Sequence, residues 1–175
     1  MANTSRDYPM AELDSLDFEK EFLRDCFALV DARISKLETY VDPSDPESDC
    51  YIFDPMDHIL GVGFVAAQRY VASVCGWFKV PKGDALRLGP KHSSGVSIAE
   101  IVNAAANFRK HCEEPDTGIR ESTKKILTSI GVDHEGSYVV SNILAQIGIK
   151  KISELMISLI AWRDSVIAYL QHTSP

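Results

Sequence analysis

Apolar residues recur at helical spacing along almost the whole chain. Over residues 11–41, Leu16, Leu23, Phe27, Val30, Ile34, Leu37 and Val41 are separated by three, four or seven positions, which places them on one side of an α-helix. Asp14, Asp17, Glu19, Glu21, Asp25, Asp31 and Glu38 occupy much of the rest. The pattern predicts an amphipathic helix with an acidic outer face. Residues 42–49, DPSDPESD, hold two prolines and no apolar residue, the composition of a loop. A second helix is predicted over about 55–79, with Asp54 as N-cap and Pro55 in the first helical position. Its apolar residues, from Ile59 and Leu60 to Val71 and Val74, fall on every side of a helical projection, as in a buried helix.

Gln68, Arg69, Ser73 and the glycines make this segment a poor membrane span, because an Arg at mid-helix is costly in lipid. A bilayer partner is therefore not expected. A buried Arg needs a partner: an acidic residue of the first helix, such as Asp25 or Asp31, inside the bundle on a structural reading, His111 in a cleft on a functional one. Gly61 and Gly63 form no phosphate loop, since no strand precedes them and no GK[ST] follows; close helix approach accounts for them.

Residues 80–95, VPKGDALRLGPKHSSG, read as a long connection, functional or mobile. Ser97 and Glu100 match a capping box at the start of a helix that runs to about Glu114 and stops at Pro115. Further helices are predicted over about 117–130 with Gly131 as its stop, over 136–147 with Gly148, and over 150–171. The predicted architecture is all-α: a bundle of five to six helices around a buried central helix at about 55–79, forming one domain over 1–175 with a loose lead at 1–10.

Charge refines this picture. The net charge is −7 over 175 residues, which argues against non-specific nucleic-acid binding by the whole surface. The charge is uneven, at −10 over residues 1–57, +4 over 58–125 and −1 beyond. The acidic part and the mildly basic middle are suited to different partners, although a solvated helix and ordinary surface lysines give the same totals. Cys26, Cys50, Cys75 and Cys112 are widely spaced and form no C-x-x-C pair. With no signal peptide in view, a reduced, cytoplasmic protein is expected. No cofactor is implied. His58, His92, His111, Cys75 and Cys112 lack zinc-motif spacing, so no metal site is expected either.

The densest chemistry lies in Ala105-Ala106-Asn107-Phe108-Arg109-Lys110-His111-Cys112. Asn107 and His111, four residues apart, share a helix face, with Asn103 one turn before them. A His titrating near neutral pH beside an Arg is suited to acid–base work on a 2′-hydroxyl next to a phosphate. Periodicity alone favours the wet face of an amphipathic helix. Lys82, Arg87, Lys91 and His92 in the long connection, with Lys110, are candidate nucleic-acid contacts. Trp77 and Phe78 are candidate stacking platforms or core residues at a helix end.

An all-helical chain with an Asn-x-x-x-His helix resembles the HEPN superfamily of prokaryotic defence and toxin–antitoxin proteins. Asn107 and His111 match the R-N-x-x-x-H form of its motif, and Ala106 stands at the position of the family's Arg. The resemblance implies a homodimer with a composite cleft between two copies of the Asn107–His111 helix. It also implies RNA as substrate or ligand without a metal. In that scheme His111 is the general acid/base, Asn107 orients substrate or imidazole, and Arg69 or Arg109 binds phosphate. The Ala at position 106 implies a non-cleaving or rearranged member. The competing reading is a non-catalytic protein-binding module, of antitoxin, immunity or adaptor type, whose acidic first helix masks a basic protein surface.

Overall fold

The computed structural model describes residues 18–42, 44, 46–112, 114 and 118–173, with backbone only at 46–50. The predicted N-terminal lead, the stretch 11–17 and the stop at Pro115 lie outside the described residues. Among those described there are seven α-helices and no strand: α1 (Phe18–Glu38), α2 (Pro46–Phe78), α3 (Lys82–Leu86), α4 (Ile98–His111), α5 (Glu121–Ser129), α6 (Val139–Gln146) and α7 (Leu155–Thr173). The all-α expectation holds; the count exceeds five to six because the long connection contains α3. A 3₁₀ turn, Ile152–Glu154, leads into α7.

The central helix is α2. Leu60, Phe64, Ala67, Tyr70, Val71 and Val74 are buried, and α2 packs against α1, α4 and α6. Tyr51–Phe78 is long and apolar enough to cross a membrane. Here much of that surface is covered by protein, and its polar Asp57 and Gln68 bond to α6 and α4. The helix starts at Pro46, not at Pro55 as predicted. Pro46 takes the first-turn role assigned to Pro55. Pro55 is tolerated inside because the carbonyl it leaves without a donor belongs to Tyr51, a residue that is 83% exposed.

Gly61 and Gly63 are close-approach sites, as expected. A Cβ on Gly63 would overlap the Cδ1 of Ile152, and one on Gly61 would overlap the aliphatic stem of Arg109. The helix ends are built from sequence-local devices. At α4, Ser97 accepts from the Glu100 N–H while Glu100 accepts from the Ser97 N–H, the capping box that was predicted. At α5 the N–H of Gly131 bonds Thr128 O and that of Val132 bonds Leu127 O; Gly148 and Ile149 repeat this pattern on Ala145 and Leu144. Both are Schellman stops with a left-handed glycine.

The connection between α2 and α4 is anchored rather than loose. The Trp162 Nε1–H donates to Ala85 O at 2.8 Å, the Ser97 hydroxyl donates to Leu86 O, and Lys91 and Ser97 form an isolated antiparallel bridge. Gly89, at φ +77°, lies against the Trp162 backbone.

Candidate functional site

The contact between α2 and α4 brings together three of the polar side chains singled out from the sequence, Asn103, Asn107 and Lys110. Both helices turn apolar faces to the core: α4 buries Ile98, Ile101, Val102, Ala105 and Phe108. Gln68 of α2 lies beside them and is only 8% exposed. A buried amide needs partners, and Gln68 has three. Its Nε2–H₂ donates to Asn103 Oδ1 and Asn107 Oδ1, each at 2.9 Å, and its Oε1 accepts from Lys110 Nζ at 2.6 Å. Asn107 and Lys110 are therefore tied to α2.

Arg109 projects from another side of α4. Its stem lies over Gly61, and its guanidinium is 2.6 Å from His58 Nδ1. The Arg donates, so His58 Nδ1 is the acceptor. Arg109 also approaches Cys112 Sγ at 3.7 Å. His111 pairs with Glu114 instead, its Nδ1 lying 2.8 Å from Glu114 Oε2. A carboxylate accepts the Nδ1 proton, which leaves Nε2 as the basic nitrogen when the ring is neutral.

Lys82 of α3 faces Lys110 and Cys75. Burial of its ammonium lowers the Lys82 pKa; Cys75 opposes that shift and Lys110 adds to it. Burial pushes the Cys75 thiol up, with Lys82 pulling the other way. Lys82 and Lys110 thus belong to one positive neighbourhood beside the α2–α4 contact. Arg87 and Lys91 are exposed on the connection. His92 is held in a local turn, its Nδ1 accepting from the Ser94 N–H at 3.2 Å. Trp77 is 48% exposed, and Phe78 packs on the core.

Arg69 is not where the sequence placed it. Its side chain is 69% exposed and meets Glu19 of α1 at 3.7 Å. An acidic residue of the first helix is its partner, as the structural reading expected, but it is Glu19 rather than Asp25 or Asp31, and the pair lies at the surface rather than inside the bundle. Asp31 instead accepts from the backbone N–H groups of Ile152 and Ser153, at 3.0 and 3.3 Å. The acidic outer face predicted for the first helix is also reduced. Phe18–Glu38 holds five Asp/Glu and four Lys/Arg, and Glu21 pairs with Arg24.

Ala106 is fully buried in the core. An Arg at that position would point into packed side chains rather than toward His111. Sequence reasoning missed His58, Gln68 and Glu114 as members of this cluster. The His111–Glu114 spacing of three was a usable signal; the contacts of His58 and Gln68 cross from helix to helix and leave none.

A shallow depression of about 530 Å³ lies elsewhere, on α5, lined by Glu121, Lys124, Lys125, Thr128, Ser129 and His134. Its mixed charge and open form give it no directed chemistry. Among the described residues no group of three His, Cys, Asp or Glu is placed to hold a metal. Comparison with protein-family models, curated proteins and solved structures found no match for this chain.

Proposed function

We propose that the protein binds RNA along the α2–α4 seam and the C-terminal end of α4, as a cytoplasmic, HEPN-like protein with a rearranged site. The observation that carries this reading is the His111–Glu114 pair at 2.8 Å, close in sequence to Arg109 and Lys110. Lys82 and Lys110 neutralise backbone phosphates, and Arg109, with its guanidinium fixed at His58, supplies a directed donor.

In a cleaving member His111 Nε2 takes the proton from a ribose 2′-hydroxyl. The resulting oxyanion attacks the adjacent phosphorus, and the bond to the 5′-oxygen of the next nucleotide breaks. The products are a 2′,3′-cyclic phosphate and a 5′-hydroxyl, with the His111 proton available to the leaving oxygen. Glu114 orients the ring and stabilises its charged form.

The test combines single-stranded RNA binding and cleavage, measured across salt concentrations. Binding should fall with a slope of roughly −0.7 per phosphate contact in log–log form, and Lys110→Ala should make it shallower. If cleavage is present, His111→Ala should reduce it by about 10²- to 10⁴-fold. Cleavage that survives His111→Ala would remove the catalytic role. RNA binding that is absent, or indifferent to salt and to Lys110→Ala, would remove the reading altogether.

A further inference from the structure

The helix α1 is apolar on two separate sides. Leu23, Phe27 and Val30 face the core and are buried. Phe18, Phe22 and Leu29 are 73%, 59% and 72% exposed. Positions 18, 22 and 29 share one side of a helix, well rotated from the buried stripe. Three large hydrophobics aligned in water on one helix mark an association surface rather than scattered exposure.

The charges beside this stripe define the occupant. Glu21 and Asp25 lie in the N-terminal half of α1, and Arg33 and Lys36 in the C-terminal half; all four are exposed. A second α1 running antiparallel brings the acidic half of one copy alongside the basic half of the other, twice. A parallel partner would place like charge on like. When Leu29 faces Leu29 of the second copy, Asp25 comes level with the partner's Arg33 and Arg33 with its Asp25, a self-complementary arrangement. Phe22 then comes level with the partner's Lys36, whose aliphatic stem can cover an aromatic ring.

We propose that two copies of this chain associate through antiparallel α1 helices, with Leu29 at the centre of the contact and Phe22 to either side of it. The resemblance discussed above implied a dimer formed through the Asn107–His111 helix; this surface is a different one, and the proposal stands whether or not RNA is bound.

The experiment is sedimentation equilibrium of the full chain over a range of concentrations, with circular dichroism as a folding control. The wild type should sediment as a dimer, and the doubly substituted Phe22→Glu/Leu29→Glu as a folded monomer. Orientation is tested with two charge-reversed chains, Glu21→Lys/Asp25→Lys and Arg33→Glu/Lys36→Glu. Each alone should be shifted toward monomer by like-charge contact, and an equimolar mixture should regain the dimer. A monomeric wild type overturns the proposal, as does a dimer that survives Phe22→Glu/Leu29→Glu. Charge-reversed chains that fail to pair on mixing overturn it as well.

Discussion

Gln68 ties α2 to α4 with one side chain, and its chemistry sets a specific expectation. Replacing it by Leu leaves Asn103, Asn107 and Lys110 without their shared partner. Because these groups are partly wet, Gln68→Leu should cost about 1–3 kcal/mol in urea unfolding. Gln68→Glu should cost less: the carboxylate keeps Lys110, and both Asn amides can rotate to donate. Lys79 offers the opposite sign. It occupies a left-handed position, φ 54°, at the end of α2, where the Val80 N–H reaches back to Cys75 O. Glycine suits that position, so Lys79→Gly should raise stability by up to about 1 kcal/mol, read as a higher melting temperature. Thiol chemistry should separate the cysteines. Cys112 is exposed, whereas Cys75 is buried with its pKa raised by that burial. Iodoacetamide at neutral pH should therefore label Cys112 in the folded protein and reach Cys75 only after unfolding. Labelling of Cys75 as fast as Cys112 in the folded protein would contradict this placement.

At the level of elements, Gly63 sets how closely the 3₁₀ turn before α7 can approach α2. Gly63→Ala gains helix propensity, but its Cβ runs into Ile152, a fully buried residue. The net cost should be about 1–3 kcal/mol. Ile152→Val removes the colliding methyl, so the double variant should be more stable than the sum of the two single effects predicts. Additive losses in unfolding experiments would show that the contact relaxes elsewhere.

The elements differ in how readable they were. The capping box at Ser97 and the glycine stops at 131 and 148 act within a few residues of chain, so their signatures stand in the sequence. The start of α2 did not, because Pro46 and Pro55 both precede helical pattern and only packing distinguishes them. Arg69 was misplaced for a related reason. The one exposed strip of α2 carries Val62, Ala72 and Gly76 beside it, and such residues conceal a solvent face from periodicity. Within the candidate site, Asn107, Arg109, Lys110 and His111 were visible as a cluster, but which partner each one takes depends on residues 39 to 51 positions away or, for His111, three.

Across the whole molecule, the acidic excess of the first 57 residues lies mostly to either side of α1. The helix itself is close to neutral; beside its exposed apolar stripe, Glu21 and Asp25 lie toward one end and Arg33 and Lys36 toward the other. A basic protein partner should therefore be insensitive to α1 acids taken one at a time, whereas self-association should respond to both ends together.

The two N-termini held by distant aspartates carry a kinetic consequence. Asp57 accepts from the Ser141 N–H at 2.7 Å and from its hydroxyl at 2.9 Å, and Asp31 holds the turn before α7. No hydrogen bond from their own N-cap side chains replaces these at α6. The start of α6 thus lacks a side-chain cap of its own and waits for α2 to present one, while the turn before α7 adds the Asp31 contact to its local Lys151 N–H to Glu154 bond. Assembly should be ordered, with the first two helices docking early and α6 and α7 condensing on them. Asp57→Ala and Asp31→Ala should then mainly accelerate unfolding while leaving the folding rate almost unchanged, and a peptide spanning 136–175 should be largely unstructured until it meets the remainder of the protein.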